Sequence, residues 1–230
     1  MNTKFIFSNH SPLKVSHTSI RSKLHLFESA GEVQHYGEGQ VLYNEGVMPR
    51  GVYLIKSGKV KIFKHGSEGK EQIIKLLTRG DFIGYHSLLG EMKHALSAKV
   101  LEEVQLCFVA KEDFLQLFYS DADISSHFLR LLCDDLRLVE ERLISTAYMP
   151  VRGRLARLLL NLIDVYKRDG DVQGRIFLSR GDLAKLAGTA KETTIRLLSE
   201  FKSEHLISID GPAIIVKDIQ GLERITQLYV

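Results

Sequence analysis

At 230 residues with 44% hydrophobic content, the chain can hold one large domain or two modest ones around an ordinary core, which excludes wholesale disorder. A net charge of +3 names no partner, and two cysteines, Cys107 and Cys133, exclude a disulfide framework or a cysteine-based metal spacing. The amino terminus is interrupted by Lys4, Asn9, His10 and Lys14, and no run approaches the roughly 18 apolar residues of a membrane helix. A cytoplasmic protein with no membrane partner and no cofactor is expected.

Charge is unevenly spread. Pro150 to His205 holds 11 Lys and Arg against 7 Asp and Glu, whereas Asp121 to Tyr148 holds 3 against 6. The carboxy-terminal part is therefore the one suited to a polyanion. In chain order, Met1 to Ser16 reads as loosely ordered and Thr18 to Ala30 as a short helix. From Gly31, glycines recur between short apolar runs. Val52–Ile55, Val60–Phe63 and Ile73–Leu77 read as strands, with turns at Lys56-Ser57-Gly58 and at His65 to Gly69. Many short strands at this spacing predict an antiparallel barrel or jelly roll ending near Val109.

Asp121 to Tyr148 contains neither Gly nor Pro. Leu129, Leu132, Leu136, Val139 and Leu143 recur at intervals of 3, 4, 3 and 4, the seam of a coiled coil, widened by Leu131 and Leu138. Such a helix can pack on its own domain, but a length near 28 residues, roughly 42 Å at 1.5 Å per residue, favours one that outruns a single domain and pairs with its twin in a homodimer. Pro150 stops it, Arg152 to Lys167 starts another helix, and Arg175 to Leu178 reads as a short strand. The expected class is α+β: a barrel sensor domain over 1–120, a dimerisation helix over 121–149 and a winged helix-turn-helix domain over 150–230.

Between Arg180 and Phe201 the residues carry chemistry. Ser179 can cap a helix whose apolar stripe is Leu183, Ala184, Leu186 and Ala187; Gly188 permits a tight turn. Thr189 and Glu192 have the spacing of a capping box opening a second helix. Ile195, Leu198 and Phe201 are expected to face inward, with Ala190, Lys191, Glu192, Thr194 and Arg196 outward. Lys or Arg can donate to guanine and Glu can accept from cytosine. Leu206–Ile209, Asp210-Gly211 and Ala213–Val216 complete a two-stranded wing. The expected DNA-contacting set is Arg180, Thr189, Ala190, Lys191, Glu192 and Arg196, on double-stranded DNA.

The run from Leu178 through Arg196 to Leu206-Ile207 resembles the CRP/FNR family of bacterial regulators. Glu68-Gly69-Lys70-Glu71 followed by Gly80-Asp81-Phe82-Ile83-Gly84 is a second match within the barrel. The resemblance spans about Gly31 to Val216. It implies a cyclic-nucleotide-binding-type barrel, a dimer helix and a winged helix. It also implies base contacts from Lys191, Glu192 and Arg196, and a hairpin from Ser67 to Glu71 that some relatives present to RNA polymerase. Family members usually have Arg where this chain has Lys191, a point donor rather than a fork, which weakens the expected preference for a TGTGA-like half-site.

Cyclic-AMP-responsive relatives hold the nucleotide with a glycine-led cassette containing a Glu and an Arg followed by Ser or Thr. Here the cassette runs from Gly84 to Ala98, Tyr85 stands at the Glu position, and no Arg occurs from Asp81 to Ser126. A cyclic phosphate would lack its strongest charge-assisted hydrogen bonds, so cyclic AMP is not expected. Tyr85, His86, Ser87, His94 and Ser97 are the candidates to line a repurposed pocket for an unknown small-molecule effector. The cysteine-ligated cluster of oxygen-sensing relatives is excluded, because no cysteine precedes Cys107. A haem or redox variant stays open, with His86 or His94 as axial ligand; Cys107 and Cys133 read as structural. The alternative from another class is a ligand-binding module acting through protein partners, against which the winged helix argues. No nucleophile–base pairing, P-loop or dinucleotide fingerprint points to an enzyme.

Overall fold

The computed structural model describes residues 23–66, 69–170 and 174–227. The loosely ordered stretch expected over Met1 to Ser16 lies outside them, and the first helix is seen as α1, Leu24–Ala30. The barrel then comprises β1 (Glu32–Tyr36), β2 (Val41–Tyr43), β3 (Gly51–Ser57), β4 (Val60–His65), β5 (Glu71–Leu77), β6 (Phe82–Ile83), α2 (Tyr85–Leu89), β7 (Ser97–Val100) and β8 (Val104–Ala110). Two antiparallel four-stranded sheets, ordered β1-β8-β3-β6 and β2-β7-β4-β5, face each other as a jelly roll. Between them pack Ile55, Val60, Ile62, Leu77, Ile83, Ala98, Val100, Val104 and Leu106, with Tyr36, Leu42, Tyr43, Tyr53 and Leu96 partly buried around them. The β3–β4 turn requires glycine at Gly58: its φ is +83°, and a Cβ would lie 2.2 Å from the Glu103 carbonyl oxygen.

A short helix α3 (Lys111–Ser120) leads to the long helix α4 (Ala122–Tyr148). Asp121 caps α4 by accepting from the amides of Asp123 at 2.9 Å and Ile124 at 3.2 Å. The first turns are nailed to the barrel by aromatics. The Phe128 ring sits 5.0 Å from Phe82, 5.0 Å from Phe114 and 6.0 Å from Phe27. Beyond Phe128, α4 keeps touching the barrel on one side through Leu131, Leu132, Asp135 and Arg142, and its other face goes uncovered.

After Met149, Pro150 opens α5 (Val151–Arg168); α6 (Arg180–Ala187) and α7 (Lys191–Ser203) form the helix-turn-helix. The hairpin β9 (Ile207–Asp210) and β10 (Ala213–Val216) is the wing, and α8 (Ile219–Gln227) packs back on α5. The expected strand over Arg175 to Leu178 shrinks to a single bridge, Ile176 to Ile214. Ile176 and Leu178 are buried and Phe177 is exposed, so the alternation is real, but β10 offers it only one pairing. Leu155, Leu159, Leu162, Leu183, Leu197, Leu198, Phe201, Ile207 and Ile214 form the core of this part. That core is continuous with Phe63, Ile73 and Leu76 of β4 and β5. Among the described residues no helix is long and apolar enough to cross a membrane.

Candidate nucleic-acid interface

The turn between α6 and α7 is built as expected at its first end. Ser179 Oγ accepts from the Asp182 amide at 3.0 Å, and Gly188 closes α6 in the left-handed region at φ +64°. Arg154, which the sequence does not flag, fixes the turn from outside. Its guanidinium donates to the carbonyls of Ala187 and Gly188, each at 3.2 Å, and of Met149 at 3.0 Å. It thereby satisfies helix-end acceptors of both α4 and α6.

Two expectations for α7 are corrected. The helix begins at Lys191 with Ala190 as its cap residue and no side-chain cap, so Thr189 and Glu192 make no capping box. Helix phase is set by Thr194, Leu197, Leu198 and Phe201, all 0–4% exposed, at the i, i+3, i+4, i+7 spacing of an inner face. Thr194 therefore turns inward, its hydroxyl donating to the Ala190 carbonyl at 3.1 Å, and Ile195 turns outward at 45% exposure.

The exposed face of α7 carries Lys191, Glu192, Ile195, Arg196 and Ser199, with Ala190 exposed and Thr189 half-buried at its entrance. Arg180 lies half-buried at the start of α6, where burial lowers its affinity for the proton. Arg196 pairs with Glu200, four residues on. With 65% of the Arg196 side chain exposed, such a pair holds about 0.3–0.5 kcal/mol and releases readily to a stronger acceptor. Glu200 is retained on the other side by Arg152, which also donates to Glu204 at 2.6 Å and lies over the Phe201 ring. Arg152 thus clamps the carboxy-terminal half of α7 and leaves its amino-terminal half open.

The cassette residues do not converge on one pocket. Tyr85 is buried, and its hydroxyl donates to Asp135 of α4 at 2.6 Å; His86 reaches the same carboxylate at 2.9 Å, and Lys75 pairs with it as well. His94 stacks on Tyr43 at 3.7 Å, beside Gly84, and burial lowers its proton affinity. Ser97 Oγ accepts from the Glu45 amide at 2.9 Å, and Ser87 is buried within α2. The one-turn helix α2 and the loop to β7 give these neighbours in sequence different partners: α4 for Tyr85 and His86, Tyr43 and the Glu45 amide for His94 and Ser97. Cys107 is buried and its thiol is pushed up by that burial; Cys133 is exposed on α4.

Charged side chains join the barrel to the helix-turn-helix part. Lys61, 6% exposed, donates to Glu71 at 2.7 Å and faces Asp182 of α6 at 3.5 Å; Lys185 reaches Glu71 at 3.0 Å. Arg142 of α4 donates to the carbonyls of Leu186 at 2.6 Å and Ile73 at 3.1 Å, and to that of Ile74. Burial alone would raise the Glu71 carboxyl, but the hydrogen bonds from Lys61 and Lys185 outweigh it and hold it below the usual value. Asp135 follows the same pattern: burial raises it, and His86, Lys75 and Tyr85 together bring it well below the carboxylate range. The stability these depressed groups contribute is fully present above their unfolded values, near 4, and is lost as pH falls through the folded values beneath. Thermal unfolding followed against pH should fall steeply below about pH 4, and Asp135→Asn should flatten part of that acid limb.

Residues 33–121 match the cyclic nucleotide-binding domain family, and residues 153–225 the Crp-like helix-turn-helix domain family. The cyclic AMP receptor protein of Thermus thermophilus is 31% identical over 191 residues, 83% of this chain and 86% of that one. The anaerobic regulatory protein of Haemophilus influenzae is 28% identical over 191 residues, covering 82% and 74%. In fold, the chain matches FixK2 of Bradyrhizobium japonicum at a TM-score of 0.74 and 22% identity, over 85% of this chain and 96% of that one. A helix-turn-helix with an exposed face on its second helix, carried behind a jelly roll and a long helix, agrees with both family matches: the chain belongs to the CRP/FNR family of DNA-binding transcription regulators.

Proposed function

We propose that the chain acts as a homodimer reading an inverted-repeat operator, with the two copies of α7 entering successive major grooves roughly 34–36 Å apart, and that cyclic AMP is not its effector. One observation carries the proposal: the fold leaves two surfaces open that it does not itself use. The first is the face of α7 bearing Lys191, Glu192 and Arg196, with Thr189 and Ala190 at its amino-terminal end, where free amides and the helix dipole favour a phosphate. The second is the row Leu129, Leu136, Val139 and Leu143 on α4, 57–72% exposed, with Leu132 half-buried in line. Arg180 adds a cation at the start of α6.

A cyclic nucleotide does not fit the cassette. Where a phosphate would need a guanidinium, Leu96 precedes Ser97 and packs into the apolar interior, and Tyr85 is committed to Asp135. The β4–β5 hairpin, whose Ser67 and Glu68 lie outside the described residues, is the surface offered to RNA polymerase.

Selection of bound fragments from random duplexes, followed by gel shift, is the test. The recovered site should be an inverted repeat, and added cyclic AMP should leave the shift unchanged; an asymmetric site, or tightening by cyclic AMP, would overturn the corresponding half of the proposal. Arg196→Ala should cost about 1–3 kcal/mol at one base position per half-site and relax discrimination there. Unchanged discrimination at every position would remove Arg196 from the reading set.

A further inference from the structure

On the footing of the operator reading proposed above, we infer that Ile195 reads the C5-methyl group of a thymine in each half-site. Among the described residues of α7, Ile195 is the large apolar side chain that the domain does not bury: it stands 45% exposed, while Leu197, Leu198 and Phe201 are at 4% or less. Its surroundings on that face are polar. Lys191 lies one turn before it, Arg196 beside it and Ser199 one turn after, with the Ser199 hydroxyl donating back to the Ile195 carbonyl at 3.1 Å.

A protein groove that accepts a helix is read through several apolar anchors at i, i+3, i+4 and i+7. This face presents one, between cations that favour a polyanion. The apolar feature that a major groove offers is the thymine methyl. A β-branched side chain on a helix is held in one dominant rotamer, so Ile195 presents its methyls with little freedom left to lose on contact. Lys191, Glu192 and Arg196 supply donors and an acceptor; Ile195 adds the contact that those polar groups cannot make.

Deoxyuridine removes the methyl and keeps every hydrogen-bonding edge. The full-length protein is titrated on the best inverted repeat recovered by selection, with thymines replaced by deoxyuridine one symmetric pair at a time. One pair should weaken binding about fifteenfold, or about fourfold per half-site, the equivalent of one buried methyl at ~0.8 kcal/mol. Ile195→Ser should melt as the parent does and bind the thymine and uracil duplexes equally, while Ile195→Val keeps the difference. Equal affinity of the parent for every substituted duplex, with scrambled DNA still rejected, overturns the role of Ile195 and leaves operator reading intact. A uracil penalty that persists in Ile195→Ser overturns it too. Failure to prefer the selected duplex over scrambled DNA sinks the operator reading and this inference together.

Discussion

Leu136→Asp should sediment as a monomer and lose operator binding. The basis is the two-sidedness of α4. Its amino-terminal turns bury Ile124, His127 and Phe128 at 0–3% exposure, while Leu129, Leu136, Val139 and Leu143 stand 57–72% exposed along one line. From Leu129 to Leu143 that line is about 21 Å long at 1.5 Å per residue, too long and too regular for scattered surface apolar residues. Pairing two such helices places Leu136 of each protomer near the middle of the seam. An aspartate there would bring two carboxylates together in a water-poor contact, penalised by both desolvation and like charge. A monomer can engage only one half-site, so operator affinity should fall toward the non-specific level, about 10³-fold or more. Arg130→Asp, on the same helix but off the line, should stay dimeric. A Leu136→Asp sample that sediments wholly as dimer would show that the seam lies elsewhere.

The row on α4 was legible because leucine and valine at a 3-4 spacing over a stretch without glycine or proline admit few other structures. The same holds for Ser179 and Gly188, whose roles follow from local backbone geometry. The phase of α7 was not legible. Hydropathy ranks Ile195 as an inner residue and Thr194 as an outer one, yet Thr194 can be buried cheaply because its hydroxyl bonds within its own turn. Once Leu197, Leu198 and Phe201 fix the inner face, Ile195 has nowhere to go but outward. The cassette failed for another reason. Contiguity from Tyr85 to Ser97 suggested a shared pocket, but contiguity does not fix partners: Tyr85 and His86 meet α4 while His94 and Ser97 meet the β2–β3 side. Arg142, Arg154, Lys59 and Lys61 gave no signal at all. Their partners lie far along the chain or are backbone carbonyls, and lysines in a strand ordinarily read as solvated.

Lys59 sets the second large effect: Asp169→Ala should destabilise the protein by about 3 kcal/mol. The Lys59 side chain is only 6% exposed, and it joins the barrel to the end of α5 through Asp169. Its ammonium also contacts Glu102 at 2.6 Å and lies 4.4 Å from the centre of the Tyr166 ring. Asp169 in turn accepts from the Gly58 amide at 3.2 Å, and its neighbour Arg168 grips Asp81 at 2.7 Å. Removing the Asp169 carboxylate leaves a buried ammonium with Glu102, itself 40% exposed, as its remaining anion. A buried charge stripped of its main partner costs far more than the intact pair contributes. For a chain of this size about 3 kcal/mol corresponds to a fall in melting temperature of roughly 6–12 °C, readable by circular dichroism. Because the damage comes from the orphaned charge, removing that charge as well should cure it. Lys59→Met combined with Asp169→Ala should melt within a few degrees of the parent, the methionine stem filling the lysine's path beside Tyr166. A single variant melting within about 2 °C of the parent would mean that Lys59 finds water or Glu102 without loss, and that hydrophobic contacts from Phe63, Ile73 and Leu76 hold the two parts of the chain together without this ion pair.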